Sequence, residues 1–286
     1  MKSLLIRTVT GFLFVAIIAA SVLLSDFSFN IAFNILFNVF LLFTCIALYE
    51  YRSLLQRQNI KLSIFFYVVS LSIYFIASYA SILWKTVATV AAYKIIILLF
   101  LMFGLFFLPF VVELFRKQEN PFTHIAYSIL GIIWIVLPFS LINHIPFMFD
   151  DGKYFLLAIF ILVWMYDTFA YCIGSLCGKH RLMERVSPKK SWEGAIGSAV
   201  LTLVFAFFLT KIFPFLPLSG LQWVVFALIV VVFGTLGDLV ESLFKRQLSV
   251  KDSGNILPGH GGVLDRFDSI FFVIPFIILY LIFILL

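Results

Sequence analysis

The stretch 238-DLVESLFKRQLSVKDSGNILPGHGGVLDRFDS-269 decides how the chain is read. It carries nine charged residues within 31 positions: Asp238, Glu241, Lys245, Arg246, Lys251, Asp252, Asp265, Arg266 and Asp268. His260 adds a titratable ring, and Gly254, Gly259, Gly261 and Gly262 let backbone come close to a ligand. Apolar runs flank the stretch at Trp223–Phe233 and Ile270–Leu286. Charge beside lipid is expensive, so a chain that keeps this much of it next to apolar spans is expected to use it.

Outward from that stretch the chain is apolar. It is 63% hydrophobic and 12% charged, with a mean hydropathy of +1.14. A soluble domain carries about twice that charged fraction. An all-α, polytopic transmembrane helical protein is therefore expected. A bilayer needs about 20 apolar residues per span, which gives about nine membrane spans. They are Leu4–Leu24, Phe29–Tyr49, Ser63–Leu83, Tyr93–Phe115, His124–Asn143, Tyr154–Gly174, Gly194–Ile212, Gln222–Glu241 and Ser269–Leu286. The first is read as an uncleaved helix, since its apolar part exceeds a signal peptide's and more spans follow. Residues 1–120 form N-terminal transmembrane helices. Residues 121–286 are expected to form a transmembrane catalytic region with cytoplasmic loops 175–193 and 242–268.

Charge sets the orientation. Sixteen Lys and Arg fall on one side of the nine spans, and four (Lys85, Lys94, Lys153, Lys211) on the other. The rich side is expected to be cytoplasmic, with the N-terminus inside. The net charge of +6 therefore reports topology, and nucleic acid is not an expected partner. Cys45, Cys172 and Cys177 lie in or beside apolar stretches and suggest neither disulfides nor a metal site.

The first half is quiet. Arg7 reads as a snorkelling anchor, and Glu50 and Glu113 as interfacial caps. His124 and His144 are loop or interface residues, and Asp150-Asp151 lies on the outer side.

The second half carries three polar features. Asp167, Tyr171, Gly174 and Gly178 share one helix face, placing a carboxylate beside two close-approach glycines. Residues 178–197, GKHRLMERVSPKKSWEGAIG, hold Lys189 and Lys190, a turn at Ser187-Pro188, Ser191 as an N-cap, and Glu193 at the membrane edge. Third, Asp238, Glu241, Ser242 and Lys245 form a polar face at the end of the eighth span. Pro258-Gly259 then makes a turn, and Gly261-Gly262 expose N–H groups suited to an anion. Carboxylates, basic residues and a glycine turn at a membrane surface suit phosphate chemistry on a lipid. Carboxylates hold Mg²⁺, one ion or two, and Arg and Lys pair with phosphate oxygens.

These segments resemble the phosphatidate cytidylyltransferases, or CDP-diacylglycerol synthases. The resemblance rests on SLFKR (242–246), KDSG (251–254) and LPGHGGVLDRFD (257–268), with SPKKS…EG (187–194) carrying Ser191 where Thr is common. It covers about Asp167 to Asp268. It implies that CTP and phosphatidate give CDP-diacylglycerol and pyrophosphate in phospholipid biosynthesis, at a cytoplasmic face of the inner (cytoplasmic) cell membrane. Asp238 and Asp265 are then the first choices for Mg²⁺, with Asp268 and Asp252 next and Asp167 or Glu241 completing the site. Lys245, Arg246, Lys251 and Arg266 are expected on CTP phosphates, and His260 on a phosphate or as the loop's orienter. Lys189 and Lys190, with Ser187, Glu193, Ser242, Gly261 and Gly262, are expected to bind either substrate. The oligomeric state stays open, a homodimer included. The rivals are CTP-dependent transfer to an ether-lipid phosphate or a polyprenol, and a transporter of a phosphorylated solute, which the one-sided polar groups and absent repeat disfavour.

Overall fold

The computed structural model describes residues 2–25, 34–83, 88–148 and 151–285. The expectations at residues 29–33, Lys85, Asp150 and Leu286 lie outside the described residues. The chain is an all-α polytopic membrane protein. Among the described residues, eight helices are long and apolar enough to cross a membrane. The third expected span, Ser63–Leu83, is a helix, Phe65–Leu83, whose stretch Phe65–Ala80 is apolar but shorter. The chain divides into two compact units, residues 1–153 with 252–266, and residues 154–251 with 267–286.

The first unit contains α1 (Lys2–Leu23), α2 (Ile35–Gln56), α3 (Phe65–Leu83), α4 (Ala88–Phe115), α5 (Pro121–Gly131), α6 (Leu137–Ile142) and α7 (Ile145–Met148). Its core holds Phe37, Phe40, Tyr51, Tyr74 and Phe139. Buried hydroxyls need partners, and both tyrosines have them. Tyr51 donates to the Tyr127 carbonyl at 2.8 Å and Tyr74 to that of Phe37 at 2.9 Å. Asn143 donates at 3.0 Å both to the Tyr74 hydroxyl and to Ser78. A π-helical stretch, Ile132–Val136, joins α5 to α6, which has Pro138 in its first turn. Proline has no N–H for the preceding turn, so the wider π turn spreads the disruption. α2 begins at Asn34, whose side chain accepts the Phe37 N–H, and runs on to Gln56. Glu50 therefore lies inside a helix and is buried, where an interfacial position was expected.

The second unit contains α8 (Gly152–Cys177, from Tyr154 on), β1 (Arg181–Met183), β2 (Ser187–Ser191), α9 (Trp192–Phe207), α10 (Leu209–Ile212) and α11 (Gly220–Gln247). It also takes α12 (Leu264–Leu285) from Phe267 onward. Phe155, Phe160, Trp223, Phe226 and Phe267 fill its core. α11 starts with a capping box: Gln222 N–H donates to Ser219 Oγ, and Gln222 Oε1 accepts the Ser219 N–H at 2.8 Å. β1 and β2 form an antiparallel ribbon, so Ser187-Pro188 begins a strand where a turn was expected.

Candidate active site

In the second unit the ribbon is seated by small residues. A Cβ on Gly194 would lie 3.0 Å from both the Ala170 carbonyl and the Gly174 Cα, and one on Gly178 would lie 2.6 Å from Ser191 Oγ. α8 and α9 thus touch backbone to backbone, as their glycines suggested. Ser191 caps α9 by accepting the Gly194 N–H at 3.2 Å. Glu193 accepts the N–H groups of Lys179 and His180 and meets His180 Nδ1 at 2.5 Å. Its carboxylate is therefore committed to holding the ribbon's entry.

The ribbon delivers Lys190 to Asp238, and the two form an ion pair. Ser242, one turn along α11, donates to Asp238 Oδ1 at 3.3 Å. Glu241 is buried, with Lys245 Nζ 3.4 Å from Oε2. Asp268 lies within electrostatic reach of Asp238, Glu241 and Lys245, and its Oδ1 accepts the Ser269 N–H at 2.7 Å. α11 and α12 come this close because position 237 is glycine: a Cβ there would stand 2.5 Å from the Asp268 carbonyl. Three carboxylates and two ammonium groups thus share one end of these helices. Arg246 turns away from them, donating to the carbonyls of Val186 at 3.3 Å and Val250 at 3.1 Å. Lys189, Lys251 and Asp167 are exposed and Ser187 is half-buried.

In the first unit the loop 252–266 is built around two carboxylates. Leu257 to His260 make a tight turn, with the His260 N–H donating to the Leu257 carbonyl at 2.9 Å and Gly259 at φ +76°. Pro before a positive-φ Gly is the type II signature. Gly261, at φ +85°, pairs back to Leu257. Asp265 accepts the N–H groups of Ser253 at 2.9 Å and Gly262 at 2.8 Å through Oδ2. Glu50 accepts the N–H of Val263 at 3.1 Å and of Leu264 at 3.0 Å. These are orphan donors at the start of α12, where negative charge also meets the helix dipole favourably. Ser253 Oγ donates to Glu50 Oε2 at 3.4 Å. The glycine turn was expected to offer its N–H groups to a bound anion; here the anions it meets are the chain's own carboxylates. Gly254 and Gly262 make room for Glu50, since a Cβ at either would lie within 2.6 Å of a Glu50 oxygen. Asp252 and Arg266 are exposed. His260 is half-buried, and burial first, then Arg266 and Arg7, push its imidazole below the usual pKa.

The profile of the cytidylyltransferase family matches residues 5–284. The chain belongs to that family. Three relatives bear the name phosphatidate cytidylyltransferase. Those of Staphylococcus saprophyticus and Bacillus subtilis are 40% identical to this cytidylyltransferase-family chain over 159 and 161 residues. That of Staphylococcus aureus is 39% identical over 161 residues. Each alignment takes in 56% of the chain and 60% of the relative's own length.

Sequence reasoning passed over two residues that meet the 252–266 loop. Glu50 was taken for a cap, although a lone carboxylate in an apolar 22-residue helix is the kind of signal that singled out Asp167. Arg7 was taken for an anchor; its stem lies against the turn, 2.7 Å from where a Gly259 Cβ would be.

Proposed function

We propose that the chain is an integral membrane phosphatidate cytidylyltransferase, transferring the cytidylyl group of CTP to phosphatidate with release of pyrophosphate. One observation carries this reading: the meeting of Asp238, Glu241 and Asp268 with Lys190 and Lys245 at the ends of α11 and α12. The names of the relatives supply the nucleotide and the lipid. A phosphatidate oxygen attacks the α-phosphorus of CTP and pyrophosphate leaves. Such in-line transfer needs positioning and charge neutralisation rather than a covalent intermediate.

Mg²⁺ suits this donor set. Among the described residues no three His, Cys, Asp or Glu side chains form a cage for a metal. Mg²⁺ does not need one: one or two carboxylates, water and substrate phosphates suffice. Asp238 and Asp268 are the carboxylates we assign to it, with Glu241 behind them. Held there, the ion would neutralise phosphate charge. Lys190 and Lys245 bind phosphate oxygens as compact charges. Asp265 orders the loop through its backbone donors, and Lys189, Lys251 and Arg266 remain exposed for the anionic substrates. The Lys/Arg distribution favours a cytoplasmic site in the cell's cytoplasmic membrane.

The test uses purified full-length chain in detergent with radiolabelled CTP and dioleoyl phosphatidate, followed by thin-layer separation of lipid products. Mg²⁺-dependent CDP-lipid with stoichiometric pyrophosphate is expected. Product only with an ether-lipid phosphate or a polyprenol acceptor would overturn the choice of lipid, and none with any acceptor would overturn the reaction.

A further inference from the structure

Arg7 sits on α1, a helix outside every signature motif. Its stem packs against Gly259, and the packing is specific: a Gly259 Cβ would lie 2.7 Å from Arg7 Cγ. One turn later on the same face of α1, a Cβ at Gly11 would lie 3.1 Å from His260 Nε2. Two glycines, one on each partner, therefore let α1 and the 257–261 turn close on each other. The guanidinium of Arg7 is carried on an exposed residue. Arg7 and Arg266 both act electrostatically on the His260 ring, so positive charge gathers at the tip of the loop. Like charges this close are unfavourable alone and become favourable around a multiply charged anion. Arg presents a planar fork that matches phosphate oxygens in two places at once. A simple snorkelling anchor needs only a positive tip near headgroups. It does not need a glycine cleared to seat its stem on a turn.

We propose that Arg7, with His260 and Arg266, forms a subsite for a phosphate group of a substrate, so that the first helix supplies a binding residue to the reaction. This rests on the cytidylyltransferase reading above. The phosphate has two sources, the lipid headgroup and the nucleotide's triphosphate.

Arg7→Met keeps the stem on Gly259 and removes the fork, and Arg7→Lys keeps charge without the fork. Lys117→Ala, on an exposed residue outside the proposed subsite, is the control. Half-saturating concentrations are measured for dioleoyl phosphatidate and for CTP separately. Arg7→Met is expected to raise one of them roughly tenfold or more, with a smaller change in maximal turnover, and Arg7→Lys to recover part of the loss. A rise for phosphatidate assigns the subsite to the lipid; a rise for CTP assigns it to the nucleotide. Both values unchanged would overturn the proposal. Should Arg7→Met fail to fold, Arg7→Lys carries the comparison, with a severalfold rise expected and no rise overturning it. A second arm does not need turnover. The melting temperature in detergent is followed with added dioleoyl phosphatidate, CTP or dioleoyl phosphatidylcholine. A stabilisation by phosphatidate or CTP that Arg7→Met abolishes supports the subsite even if the wild-type chain makes no CDP-lipid. Equal stabilisation of both proteins overturns it.

Discussion

Lys190, on the second strand of the ribbon, is ion-paired with Asp238, in the last third of α11. The pair ties the hairpin to a carboxylate near the end of the helix. A Mg²⁺ ion held by Asp238, as proposed above, would compete with the lysine for the same oxygens. Lys190→Met is expected to lower the Mg²⁺ concentration that gives half-maximal turnover. Maximal turnover should fall as well, because the ammonium no longer reaches substrate phosphate. Titration with Mg²⁺ checks both; an unchanged Mg²⁺ requirement would refute the competition.

Asp238 and Asp265 should fail differently. Asp238→Asn keeps its shape and its Ser242 contact but loses the charge. Turnover should drop on the order of 100-fold or more with little change in melting temperature. Asp265→Asn places an amide opposite the N–H groups of Ser253 and Gly262 and should lower the melting temperature too. Parallel denaturation and turnover series separate the two.

Glycine substitutions offer a steric test. An alanine at Gly262 would run into Ser253 Oγ and both Glu50 oxygens, whereas one at Gly104 meets nothing within 4 Å. Gly262→Ala is expected to lower stability by about 1–3 kcal/mol, the usual cost of crowding a packed site. Gly104→Ala should be neutral or slightly stabilising, as a helical Gly→Ala change usually is. Detergent melting curves of the two variants decide it.

pH should act through His144. Burial lowers its pKa from 6.5 to about 4, partly offset by its hydrogen bond to the Ala77 carbonyl. The unfolded chain then takes up a proton at a higher pH than the folded one. The contribution is whole above pH 6.5 and is lost as pH falls toward 4, by at most about 3 kcal/mol. His260, whose pKa is also lowered, acts in the same direction. Melting temperature should therefore fall with acidification in that window. His144→Gln should flatten the fall, and an unchanged slope would count against the assignment.

The helices were legible because about 20 apolar residues between charged loops leave little choice. α8, α9, α11 and α12 all stand close to their expected places, and Ser191 caps α9 as expected. The carboxylate and lysine face of α11 follows from helical spacing alone. What could not be read was pairing between distant positions. Nothing local marks Glu50 as the partner of Val263 and Leu264, since the contact lies across more than two hundred residues. Nor could side-chain commitment be read: Arg246 and Glu193 have suitable chemistry for substrate, yet each is engaged with backbone. The ribbon was also hidden, because three- and five-residue strands are too short for an alternating pattern.

The position of Glu50 has a consequence for the order of synthesis. α2 enters the membrane with its carboxylate long before the ribosome has made Val263 and Leu264, whose N–H groups that carboxylate accepts. Until then the Glu50 carboxyl lacks these partners, and removing it from water without them is costly. A nascent chain interrupted before α12 therefore leaves this carboxyl without the backbone donors that satisfy it in the complete fold.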